Sequence, residues 1–296
     1  MHKHNQQRQT YVKNFLPLEI EKPEISQKRM YNIEGKINNS TNNTIEENQE
    51  NENEEDGNQI STDNIEKYGQ PDQPTMKNPR GNIQFLSIIG QVEGHNVLPP
   101  ETKTTKYEHV IPMLVVAAED PKVEGILILL NTVGGDVEAG LAIAELIAGL
   151  GKPTVSLVLG GGHSIGVPLA VSSSYSFIAP SATMIIHPVR MTGVMIGAPQ
   201  TYDYLQKMQD RITKFVSSNS DMNEDRYTQL MMETGKLNMD VGTILTGQEA
   251  VDEKLIDSVG SLHDAMEKLY TIIEENRKEN LEKENQEAKK KSGSDI

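Results

Sequence analysis

From residue 82 onward, short apolar runs alternate with longer segments whose apolar positions recur at helical spacing. NIQFLSIIG (82–90), VEGILILLN (123–131) and PTVSLVL (153–159) read as strands. YEHVIPMLVVAAE (107–119) and DVEAGLAIAELIAGL (136–150) read as helices, the second with Asp136 placed to cap its first turn. SIGVPLAVSSS (164–174) is predicted helical, and YSFIA (175–179) and TMIIHP (183–188) are predicted to be short strands. After His187 the pattern turns helical, over 199–218 and 223–235. Thr246 followed three residues later by Glu249 signals a capping box and a short helix. A strand, LIDSVG (255–260), and a helix, SLHDAMEKLYTIIEE (261–275), close the pattern. Repeated strand–helix units imply an α/β fold with a parallel sheet covered by helices.

The flanks lack this pattern. IEENQENENEED (45–56) carries seven acidic side chains and one aliphatic residue. Residues 1–80 therefore read as a disordered acidic arm, too polar to offset the entropy of ordering. Residues 276–296 read as a charged tail that extends the last helix without building core, so 81–275 is the expected globular domain.

Net charge is −15, which disfavours nucleic acid as a partner because phosphates demand a basic face. The chain has no cysteine, which excludes disulfides, thiolate metal sites and a cysteine nucleophile. No stretch reaches the ~18 uncharged apolar residues of a membrane span. A cytoplasmic protein without membrane insertion is the expectation, and no residue set suggests a cofactor or metal.

Two loops carry the candidate chemistry. LLNTVGGDVEAG ends a strand in Gly134-Gly135 and opens a helix at once, so backbone amides there can approach a ligand atom. Gly162-His163-Ser164-Ile165-Gly166 fits the strand–turn–helix pattern G-x-S-x-G, which lifts a serine hydroxyl at the turn. In a parallel α/β sheet both loops lie at the carboxyl ends of strands. A serine needs a base to act as a nucleophile. His187 ends a strand and should emerge at the same edge, whereas His163 adjoins the serine and is not expected to face it. Alone, each motif is more often a turn or a polar strand end. Together on one edge they suggest an acyl-transfer site.

The joint arrangement resembles the Clp protease family of serine peptidases, from about Ile83 to about Ser261. It rests on Asn131-Thr132-Val133-Gly134-Gly135, on Gly162-His163-Ser164-Ile165-Gly166 and on Met184-Ile185-Ile186-His187-Pro188, with 245–257 as a closing helix and strand. The acidic arm and long C-terminus resemble the family's translocation-enhancing subgroup. The resemblance implies the ClpP/crotonase fold with a protruding helical region, homo-oligomeric rings, and polypeptides as substrates. It implies Ser164 as nucleophile, His187 as general base, and the amides of Gly135 and Ile165 as oxyanion hole. It places an extended substrate along Gly134, Met191, Thr192 and Gly193. The family's aspartate falls on Gly242 here; either Asp240 serves instead to orient His187, or the site works as a serine–histidine pair. His163 stands where the family usually has alanine. Docking of an ATPase is not implied.

Three readings follow: an ATP-independent serine endopeptidase, with secretory precursors or spore proteins as possible substrates; a weakly catalytic or inactive polypeptide-binding scaffold; or an α/β-hydrolase esterase using Ser164 and His263. Apolar residues of 199–235 (Leu205, Met208, Ile212, Phe215, Leu230, Met231, Met232) exceed what one sheet face needs and suggest oligomerisation.

Overall fold

The computed structural model describes residues 75–76, 78–191, 197–237 and 240–292. Five parallel strands form the centre of the sheet: β2 (Ile83–Glu93), β4 (Gly125–Gly135), β5 (Thr154–His163), β6 (Tyr175–Ile178) and β11 (Ser258–Val259). β1 (Thr75–Met76) adds antiparallel to β2, and β3 (Thr104–Lys106) adds parallel to it.

The central strands read as continuous apolar runs because both sheet faces are covered. Along β4, Ile126, Ile128 and Leu130 enter one core, shared with α1 (Tyr107–Glu119), α2 (Val137–Ala148) and α3 (Gly166–Val171). The intervening Leu127 joins Val155 and Leu157 in a second core against Ala265, Leu269 and Ile273 of α7 (Leu262–Ser292). Ser261 and Asp264 close the first turn of α7, and its midpoint is tied to the sheet edge by Arg277 on Glu124 at 2.7 Å. Beyond that pair residues 278–286 of α7 are exposed. The segment just before residue 81 is engaged in the fold: β1 pairs with Ile83–Gln84, and Arg80 bonds Glu267 and lies over the Tyr270 ring.

One irregularity positions the site. β5 forks: Val155–Val158 pair with β6, whereas Gly161–His163 pair with β7 (Thr183–Ile186). Asn131 bridges the fork, its side-chain oxygen accepting the Gly161 N–H at 3.0 Å. β7 also pairs antiparallel with β10 (Thr243–Thr246), which leads into α6 (Gly247–Asp252), where the Glu249 carboxylate accepts the Thr246 N–H at 2.8 Å.

Three expectations need correction. The helix expected over 223–235 is α5 (Glu224–Met231), and Thr234–Leu237 forms a strand, β8, paired with β9 (Asp240–Val241). Met232 caps the helix, and Gly235 at φ 87° lies in the left-handed region that helices exclude. The strand expected over 255–260 is only Ser258–Val259; Leu255 and Ile256 are buried outside it. Finally, much of the apolar content of 199–235 is used within the chain. Met208 and Phe215 of α4 (Ala198–Ser218) and Leu230 and Met231 of α5 are buried, while Met232, Tyr202 and Tyr204 are exposed.

Candidate active site

Ser164 sits where β5 ends and α3 begins. Its φ of 57° is one of two positive values among the described non-glycine residues. The left-handed turn costs a side-chain-bearing residue energy and survives only where the surroundings hold it. Here the Ser164 N–H donates to the Ile185 carbonyl at 2.8 Å, and its own carbonyl accepts the Val167 N–H at 3.0 Å. The turn is clamped between β7 and the first turn of α3. Ile165 follows fully buried, wedged over Gly140 of α2, which leaves no room for a larger residue at 140.

The Gly134–Gly135 loop arrives from β4. Gly134 has φ 95°, and a Cβ there would lie 2.6 Å from the Cβ of Ser164. Gly135 has φ 152°, and its Cβ would lie 2.1 Å from the Val92 carbonyl oxygen. Glycine at 134 allows the loop to approach the serine, and glycine at 135 allows it to pass against β2. Buried Thr132 organises the loop: its hydroxyl donates to Gly90 O at 2.6 Å and accepts the Gly134 N–H at 3.1 Å. Asp136 then caps α2 by accepting the Ala139 N–H at 2.9 Å, as its position predicts.

His187 follows the last residue of β7. It shares with Ser164, Gly135 and Ile165 a pocket of about 130 Å³. Its Nδ1 lies 2.7 Å from the Pro188 carbonyl oxygen. A carbonyl only accepts, so Nδ1 carries the proton in this contact; in the neutral ring that leaves Nε2 as the acceptor, the tautomer a general base requires. Further pocket wall comes from Val137, Pro188, Val189, Arg190, Ile212 and Tyr227.

His163 points elsewhere, as a residue adjacent to Ser164 on a turn should. Its Nε2 lies 2.9 Å from Thr183 Oγ1. Burial, and secondarily the charge of His187, hold its imidazole below the ordinary histidine value. His263 occupies the exposed first turn of α7 and does not line the Ser164 pocket.

The structure thus brings Ser164, His187, Gly134, Gly135 and Ile165 together. Met191 is exposed just beyond Arg190. Thr192 and Gly193 lie outside the described residues. Asp240 opens β9, but its side chain is likewise outside them. Gly242, where the sequence resemblance leads one to expect an aspartate, has φ 135° and donates its N–H to Glu233 O at 2.8 Å. Among the described residues no group of three acidic or histidine side chains could hold a metal ion, and no helix is long and apolar enough to cross a membrane. Tyr227 and Arg190 were not among the expected site residues, and Ile212 was expected only at an oligomer contact. They carry no motif, and the two helical residues reach the pocket from helices distant in the chain.

A family model described as Clp protease matches residues 82–263. The translocation-enhancing protein TepA of Halalkalibacterium halodurans is 56% identical over 210 residues, spanning 71% of this chain and 81% of that protein. The ATP-dependent Clp protease proteolytic subunit of Leuconostoc citreum is 32% identical over 119 residues, 38% of this chain and 58% of that one. Among solved structures, a ClpP1 mutant from Listeria monocytogenes superposes with a TM-score of 0.50 at 17% identity, over 61% of this chain and 93% of its own, a likeness of fold. With the family model covering residues 82–263, more than half the chain, the fold is the ClpP/crotonase fold and the chain belongs to the Clp protease family.

Proposed function

We propose that this chain is a serine endopeptidase that cleaves polypeptides in extended form. The observation that carries the reading is the left-handed Ser164, held against the Gly134–Gly135 loop and sharing a pocket with His187. Ser164 attacks the scissile carbonyl as His187 Nε2 takes its proton; the same nitrogen then returns it to the leaving amine. The amides of Gly135 and Ile165 receive the oxyanion. Asp240 orients the imidazole together with the Pro188 carbonyl. Gly134, Met191, Thr192 and Gly193 lie along the bound peptide, which adds to them as a strand. Chemistry resides in the domain beginning near residue 81, working as a homo-oligomer in the cytoplasm without its acidic arm. The name of the relative from Halalkalibacterium halodurans suggests substrates connected with protein translocation.

A second reading has one observation in its favour. Gly242 offers no carboxylate at the family position, which suits a scaffold that holds polypeptides and cleaves them slowly or not at all. A fluorophosphonate probe, with the adduct mapped by mass spectrometry, separates the two. Labelling of Ser164 that is lost in His187→Ala supports the peptidase; an unlabelled serine in folded protein supports the scaffold.

A further inference from the structure

The pocket beside Ser164 has an uncommon wall for a site that would hold a substrate side chain. Ile212 of α4 and Ile165 supply apolar surface, but Tyr227 of α5 brings a phenol into the same lining. Tyr227 is only 2% exposed. Burial alone pushes its phenol well above the ordinary tyrosine value, with no hydrogen bond contributing, so the group stays a neutral O–H donor. Among the described residues, none accepts a hydrogen bond from it. Its oxygen is not among the fully buried side-chain atoms that lack a partner, so it still meets water; leaving it unpaired becomes costly once a filled pocket expels that water. Arg190 lines the same pocket and supplies a cation at its wall.

From this lining, and resting on the peptidase reading for which bond is cut, we propose that Tyr227 determines specificity. Its hydroxyl selects, on the residue preceding the scissile bond, an unbranched side chain that ends in an oxygen acceptor, glutamine or glutamate. An apolar side chain of the same length fills the space but strands the phenol. A glutamine or glutamate oxygen accepts its hydrogen bond. Sites built around a hydrogen bond discriminate strongly against analogues that lack it, because the site's own polar group is then left unpaired.

The test uses the full chain and fluorogenic peptides identical except for glutamine, glutamate or norleucine before the scissile bond. The expected result is a kcat/KM for glutamine and glutamate at least about tenfold above norleucine. In Tyr227→Phe the ratio should collapse towards one, with folding checked by thermal melting. A wild-type preference for norleucine, or a ratio that survives in Tyr227→Phe, overturns the proposal. If no peptide is cleaved, the peptidase reading fails separately. The same peptides are then ranked by fluorescence anisotropy on Ser164→Ala protein, where equal affinities overturn the role of Tyr227. Should Tyr227→Phe not fold, the wild-type ratio decides alone.

Discussion

Replacing Thr132 by valine keeps the shape of the side chain and exchanges only the hydroxyl for a methyl. That hydroxyl sits in a fully buried position and joins the glycine loop to β2. It donates to Gly90 O and accepts the N–H of Gly134, while the Thr132 methyl abuts Gly166, two residues after the serine. The substitution strands a buried amide and weakens the satisfaction of a half-buried carbonyl. Each such loss costs about 1–3 kcal/mol, and since the carbonyl keeps a second lone pair the sum is about 2–4 kcal/mol. For a domain of this size about 1 kcal/mol corresponds to roughly 2–4 °C in Tm, so the melting point should fall by roughly 4–16 °C. Activity should fall further than stability alone explains, because the stranded amide belongs to the loop that presents Gly135 to the oxyanion. Loss of one oxyanion donor typically costs roughly a hundred- to a thousandfold in kcat, which bounds the effect. Thr132→Ser is the control: it keeps both hydrogen bonds and loses only the methyl. Thermal melting and Ser164 labelling rate, measured on folded protein, read both effects. If Thr132→Val melts within about 1 °C of wild type and labels at the same rate, the hydroxyl does not organise the loop.

Gly134→Ala should abolish Ser164 labelling, since the new methyl would meet the serine Cβ at 2.6 Å on a backbone at φ 95°; normal labelling would show that the loop has slack. Asp240→Asn should lower peptide turnover roughly a hundredfold if its charge orients His187. Turnover near wild type would leave that task to the Pro188 carbonyl, 2.7 Å from Nδ1. His163 gives a pH signature. Its folded-state value lies below its unfolded value near 6.5, so the unfolded chain binds the extra proton. The corresponding stability is present above about pH 6.5 and is lost as pH falls through the lowered value. His163→Asn should flatten the Tm–pH curve below about pH 6.5; an unchanged slope would assign that dependence to other groups.

Much of the scaffold was legible because single residues announce it. The helix expected over 107–119 has those bounds in the structure, Asp136 caps α2, and Thr246 with Glu249 opens α6. Ser164, the glycine pair and His187 converge on one pocket because strand ends at one sheet edge converge by topology. What stayed hidden depends on tertiary placement. The fork of β5 is built by Asn131 and by register shifts that no local pattern encodes. α5 stops at Met231 although Met232 and Glu233 continue a helix-compatible composition, because the chain turns there to pair β8 with β9. Thr132 looks in the sequence like one polar residue among apolar neighbours; only the folded loop shows its hydroxyl spanning β2 and β4.

The central claim is that Ser164 is the nucleophile of a peptide-cleaving site, and hydrolysis of an unstructured polypeptide tests it most directly. Wild-type protein and Ser164→Ala, purified alike and shown to melt alike, are incubated with the polypeptide, and new amino termini are quantified by mass spectrometry. Time-dependent termini are expected with wild type and none above background with Ser164→Ala. Equal cleavage by the two proteins would place the activity elsewhere and contradict it.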